Sequence, residues 1–186
     1  GVSLRALHGT DHAHGHAHAE GMDPHVWLDP VRMQTIAANV CEELIRVRPE
    51  ARKEMHANLA ALQADLADAN QRIADALDAY RGRTLFVYHP AFGYFAERYG
   101  LKQRAVEIEG KSPSGRQVAA LIDQARQAGV KVIFVQREFS SSSAERIADA
   151  IGGTVVRLDP LAEDYLANLR SMARQIARGL EAAGDG

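Results

Sequence analysis

Histidine stands beside proline at two widely separated points, Asp23-Pro24-His25-Val26-Trp27-Leu28-Asp29-Pro30 and Tyr88-His89-Pro90-Ala91-Phe92. A third phrase, Arg157-Leu158-Asp159-Pro160-Leu161, ends an apolar stretch on a carboxylate. Two imidazoles and one carboxylate suit Zn²⁺ or a similar divalent ion, which takes nitrogen and oxygen donors together. A second cluster, His12, His14, His16 and His18, alternates with small residues. Clamping alternate residues of a flexible loop around one ion costs considerable entropy, so this cluster reads as an auxiliary, low-affinity site. An affinity tag would not interleave Ala and Gly in this way. Metal binding is the chemistry these residue types offer.

Other chemistries are poorly served. The formal charge of −2 gives no reason to expect nucleic acid or an anionic membrane surface as partner. No apolar run approaches the roughly 20 residues of a spanning helix. Cys41 is the only cysteine, which rules out an intrachain disulfide and a thiolate-rich zinc site; its helical neighbours mark it as a core thiol. There is no His-Glu-x-x-His helix, no Gly-x-Ser-x-Gly elbow and no lysine-bearing phosphate loop. The serines from Ser140 to Ser143 read as a helix start, and His56 as a solvent-facing position on a long helix. A metal-dependent hydrolase would need an unligated carboxylate base beside the ion, for which Glu107 and Glu109 are the candidates. The chain starts at Gly1 with no methionine and no signal-like segment, as expected of a processed or engineered fragment.

The elements that must hold these residues follow from the apolar periodicity. Val2 to Leu7 alternates like a short strand, and residues 11–22 read as a loop. Asp29-Pro30 supplies an N-cap and a first-position proline for a helix to about Val47. Met55, Leu59, Leu62, Leu66, Ile73, Leu77 and Tyr80 then mark one amphipathic helix over 49–80, about 45 Å long. That length suggests a strut between two lobes. Strands follow at 84–88, 104–108, 132–136 and 154–158, alternating with helices at 91–99, 114–128, 142–151 and 163–183. Gly100 and Gly129 are placed to end the first two of these helices. The alternation specifies an α/β fold with a parallel four-stranded sheet and flanking helices. Ligands gather beyond the carboxyl ends of such strands, and His89 and Asp159 directly follow the first and fourth. Singly, each is as well explained as a hydrogen-bonded loop residue or a turn. His25 precedes a different helix, where Asp23 and Asp29 read equally as caps and Trp27 as packing. A ligating histidine needs an acceptor on its other nitrogen, and nearby carboxylates could supply it.

The phrases at 23–30, 88–96, 110–114 (Gly-Lys-Ser-Pro-Ser) and 159–165 (Asp-Pro-Leu-Ala-Glu-Asp-Tyr) together resemble the zinc/manganese solute-binding proteins of bacterial ABC importers. The resemblance covers essentially the whole chain, with the motifs in order. It implies two α/β lobes joined by a long rigid helix, with metal held between them. Residues 1–48, including the His-rich loop 11–20, would be the end of an amino-terminal lobe that is otherwise missing. Residues 49–80 would be the linking helix and 81–186 the carboxy-terminal lobe. The implied ligands are His25, His89 and Asp159, with a further histidine from an early loop of the first lobe absent here. His8 or a loop histidine is the only substitute. The implied function is extracytoplasmic capture of Zn(II), in the periplasm or on a lipid anchor, and delivery to an ABC transporter permease without any bond being broken. Three histidines and a carboxylate also accept Mn(II); the His-rich loop favours zinc. Acid should favour release, because the donors bind deprotonated. The alternative is a zinc metallochaperone or buffer acting through the His-rich loop alone.

Overall fold

The computed structural model describes residues 2–5, 21–107, 113–139 and 142–182. His8, His12, His14, His16, His18, Glu109, Ser140 and residues 110–112 of the Gly-Lys-Ser-Pro-Ser phrase lie outside them. Four strands, β1 (Thr84–Val87), β2 (Lys102–Ala105), β3 (Val132–Gln136) and β4 (Thr154–Leu158), form one parallel sheet in the order β2-β1-β3-β4. Among the described residues, six α-helices accompany them: α1 (Pro30–Val47), α2 (Arg52–Leu77), α3 (Gly93–Arg98), α4 (Gly115–Gln127), α5 (Ser142–Ala150) and α6 (Tyr165–Ala182). The α/β sheet read from the sequence is present.

Both faces of the sheet are covered, which is why its inner strands are mostly apolar, with Leu85 to Val87 in β1 and Val132 to Val135 in β3. The period of two divides the strand residues between two cores. Leu85, Val87, Val132 and Phe134 join Ile73 and Leu77 of α2, Phe95 of α3 and Leu169, Met172 and Ile176 of α6. Phe86, Ile133 and Val135 point the other way, onto Leu121 and Ala125 of α4 and Ala144 and Ile147 of α5. Gly100 and Gly129 end α3 and α4 at φ +71° and +62°, a backbone region that a side chain disfavours.

Several element boundaries differ from the sequence reading, and the following three have a clear physical reason. β2 begins at Lys102 rather than Arg104, and its backbone pairing with β1 continues through Glu107, whose N–H donates to the Tyr88 carbonyl at 2.8 Å. As an edge strand it carries exposed or half-buried polar residues, Lys102 to Arg104, which hide it from an apolar pattern. α3 starts at Gly93 rather than Ala91, because the chain leaves β1 in a tight turn closed by Ala91 N–H on the His89 carbonyl. Residues 2–5 have no strand of their own, although the Arg5 carbonyl accepts from Asp23 N–H at 2.9 Å.

The long helical run from 49 to 80 is α2 with a 3-10 turn at each end, Pro49–Ala51 and Asp78–Tyr80. Its 26 α-helical residues span about 39 Å. Leu66, Ala69, Ile73 and Leu77 are buried, and α2 packs along both α1 and α6. Along its first half Leu62 is exposed, as are Val40, Leu44 and Val47 of α1. Cys41 is buried between the two helices and His56 is exposed, both as the sequence suggested.

Candidate metal centre

Parallel strands deliver all their carboxyl ends to one rim, and the order β2-β1-β3-β4 puts the topological switch point between β1 and β3. His89 lies two residues beyond β1, at that point. Its backbone is clamped by Gln136, the last residue of β3 and itself buried. The Gln136 amide donates to the His89 carbonyl at 3.0 Å and accepts from the His89 N–H at 3.4 Å. The ring of Phe139 stacks on the imidazole, with centroids 5.0 Å apart and planes 20° from parallel. The Nδ1 of His89 is 3.0 Å from Oε2 of Glu107, a carboxylate buried at the end of β2.

His25 opens the 3-10 turn Val26–Leu28 that leads into α1. Asp23 is buried and folds back on it: Oδ1 accepts the His25 backbone N–H at 3.0 Å and lies 2.7 Å from Nδ1. Asp23 is fixed in turn, because the Tyr94 hydroxyl donates to its carbonyl at 2.9 Å. That hydroxyl accepts from the Arg5 backbone N–H at the same distance. Arg5 lies so close over α3 that a Cβ at Gly93 would meet its guanidinium at 1.8 Å, which explains a glycine at the first position of that helix.

Three further contacts tie the His25 segment to the sheet unit. Asp29 caps α1, accepting Val31 N–H at 2.9 Å, and also receives both prongs of Arg98 from α3 at 2.9 and 2.8 Å. The bond to Asp29 holds the Arg98 guanidinium above its usual range. The Trp27 indole donates to the Pro160 carbonyl at 3.1 Å, and the Tyr165 hydroxyl donates to the Trp27 carbonyl. Burial first, and the Asp29 charge second, push the Tyr165 hydroxyl pKa upward. His25 and His89, far apart in sequence, thus meet with ring centroids 5.3 Å apart and planes at 75°. Two imidazoles bound at a tetrahedral angle, with Zn–N about 2.1 Å and about 1.1 Å from nitrogen to ring centre, place their centres about 5.2 Å apart. The centroid spacing of the pair is compatible with a shared ion.

Asp159 is on the same rim, one residue past β4 and next to the Pro160 that Trp27 grips. Its carboxylate is engaged elsewhere. Oδ1 accepts the Leu161 N–H at 3.0 Å, and Oδ2 accepts from Arg137 Nη1 at 3.2 Å. Among the described residues no three His, Cys, Asp or Glu side chains form a group able to hold an ion. The structure therefore joins two of the three candidate ligands and leaves Asp159 paired with Arg137.

Sequence reasoning missed Gln136, Phe139 and Arg137, and it considered Glu107 only as the base that a hydrolase would need. Gln136 carried a signal, since it is the one polar residue in the buried strand Val-Ile-Phe-Val-Gln. Glu107 is committed to His89 and is not a free base beside an ion.

Comparison with known proteins points the same way. Residues 1–179 match the model of a family described as zinc-uptake complex component A, periplasmic (ZnuA). The chain is 32% identical over 156 residues to the zinc-binding protein AdcA of Streptococcus pyogenes serotype M3, which covers 83% of this chain and 30% of AdcA. It is 34% identical over 147 residues to the high-affinity zinc uptake system protein ZnuA of Bacillus subtilis, covering 77% and 46% respectively. The crystal structure of a ZnuA deletion mutant with zinc bound aligns at a TM-score of 0.86 and 35% identity, over 96% of this chain and 66% of that one. The chain spans less than half the length of these two curated relatives.

Proposed function

Because the chain belongs to the family of periplasmic zinc-uptake complex component A proteins, we propose that it supplies part of a Zn(II) capture site outside the cytoplasm, for delivery to the permease of an ABC importer. The observation that carries this is the pair His25 and His89, brought from separate segments to 5.3 Å and each backed by a buried carboxylate. In this reading both rings ligate zinc, and Asp159 exchanges Arg137 for the ion. Mn(II) is the weaker candidate, since nitrogen donors dominate the set. The protein carries its ion and breaks no bond. Among the described residues no helix is long and apolar enough to cross a membrane. His12, His14, His16 and His18 act as auxiliary, weaker ligands in the same reading, and 1–48, 49–80 and 81–186 stand as lobe remnant, linking helix and carboxy-terminal lobe.

A zinc titration in competition with a chromophoric chelator tests this. His25→Ala and His89→Ala should each weaken binding by about 100-fold, equivalent to about 2.7 kcal/mol. Removing residues 11–20 should leave the tight site intact. The opposite pattern, with binding lost on removing the His-rich stretch and kept in both alanine variants, would replace transport capture by a buffering role for that stretch.

A further inference from the structure

We propose that Glu107 and Asp23 are the positioning residues of the site, each locking its histidine in the Nδ1–H tautomer so that both rings present the Nε2 lone pair. This deepens the zinc-capture reading and rests on it for its purpose, though not for its geometry. An ionised carboxylate only accepts hydrogen bonds. At a pH where both carboxylates are ionised, Glu107 Oε2 at 3.0 Å from His89 Nδ1, and Asp23 Oδ1 at 2.7 Å from His25 Nδ1, call for a proton on each Nδ1. A neutral imidazole has a single N–H, which leaves Nε2 as the free donor pair on both rings.

Neither carboxylate is free to swing away. Glu107 is buried, and its own N–H is held by the Tyr88 carbonyl in the continuation of β2. Asp23 is buried, receives two bonds from His25 and is pinned through its carbonyl by Tyr94. The rings are restrained as well, His89 by Phe139 and the Gln136 clamp, His25 by a tilted contact with Trp27 at 5.3 Å. Buried carboxylates with no role would be a poor use of two desolvated charges, because burial of an ion is costly unless its bonds do something apolar residues cannot. Setting which nitrogen faces the ion is such a task, and partners of this kind typically change metal affinity by about 10- to 100-fold.

Long-range ¹H–¹⁵N correlation spectra of the metal-free chain, at mildly alkaline pH where free imidazole is neutral, read the tautomers directly. His25 and His89 should both show a protonated Nδ1 and a bare Nε2. Glu107→Ala should move His89 toward the Nε2–H form and leave His25 unchanged, with Asp23→Ala doing the reverse. In the chelator competition each alanine variant should bind zinc about 10- to 100-fold more weakly. Glu107→Gln, whose amide oxygen can still accept from Nδ1, should recover most of that loss. A wild-type spectrum with Nε2–H on either ring overturns the proposal, whether or not any variant folds. So does an alanine variant that keeps its tautomer or its full zinc affinity. Nδ1–H tautomers that respond to the variants in a chain that binds no zinc would uphold the positioning and overturn the capture function.

Discussion

Arg98→Met tests whether the His25 segment is held in place by the contact between α3 and the start of α1. Asp29 has a side chain only 2% exposed and takes both prongs of Arg98. Removing one partner of a fully buried pair costs about 3–5 kcal/mol, because the other charge is left uncompensated. Two features reduce that here. The Arg98 side chain is 34% exposed, and Arg32 stays 3.3 Å from Asp29 Oδ2, an ion pair lacking hydrogen-bond geometry. Asp29 also keeps its cap bond to Val31. A loss of about 2 kcal/mol is the expected result. For a chain of this size that lowers the melting temperature by about 4–8 °C, at about 2–4 °C per kcal/mol.

The variant should also bind zinc less well, although Arg98 touches neither histidine. With the tether cut, the segment from His25 to Asp29 must be ordered again on binding. Fixing about one residue's backbone costs about 1–2 kcal/mol, or roughly tenfold in affinity. Circular dichroism melts of Arg98→Met and Arg98→Lys, at low and high salt, separate the explanations. Lysine cannot make the two-pronged contact, so it should recover only part of the loss. A partly buried pair is weakly screened, so the deficit should persist in high salt. A melting temperature within about 1 °C of wild type would mean the contact behaves as a surface pair worth about 0–1 kcal/mol, and the tether argument fails.

Two further outcomes follow from the same contacts. Gln136→Leu keeps the volume but removes both partners of the His89 backbone, and a buried unsatisfied group costs about 1–3 kcal/mol; chemical denaturation should show a loss in that range together with weaker zinc binding, and an unchanged midpoint would refute the clamp. Stability should hold to about pH 10 and fall above it, because burial, aided by the Asp29 charge, raises the Tyr99 and Tyr165 hydroxyls above the ordinary tyrosine value of about 10. The unfolded chain ionises near that value while the folded chain resists, so each phenol's contribution is complete below it and is lost as pH rises toward the raised value. Melts from pH 8 to 11 with phenolate absorbance check this, and two tyrosines titrating normally in the folded protein would contradict it.

The sheet was legible because its signals are local. Continuous apolar runs such as Val132 to Val135 belong to strands covered on both faces, and glycine at 100 and 129 ends helices by backbone conformation alone. β2 was read two residues late because an edge strand does not need apolar side chains. The rim position of His89 and Asp159 also followed from topology, since parallel strands end together. His25 did not, because its approach to His89 depends on Arg98 meeting Asp29 and Trp27 meeting Pro160, contacts between residues 69 and 133 positions apart that no periodicity encodes.

The partners of the ligands were the least legible part, and the two histidines differ in why. Asp23 lies two residues from His25, so its role is a local turn that a sequence permits but cannot assert, since the same aspartate would serve as a cap. Glu107 reaches His89 because β2 pairs in register with β1, Val87 opposite Ala105, which carries the residue two beyond each strand end to the same height on the rim. Given that register, any carboxylate at position 107 faces position 89. The pairing is thus a consequence of which strands are neighbours, and it becomes readable only once the order β2-β1-β3-β4 is known. Asp159 follows the far edge strand of the same sheet, with β3 between that strand and β1, and its carboxylate pairs with Arg137, one residue beyond β3. The order that gives His89 its carboxylate therefore also gives Asp159 its guanidinium.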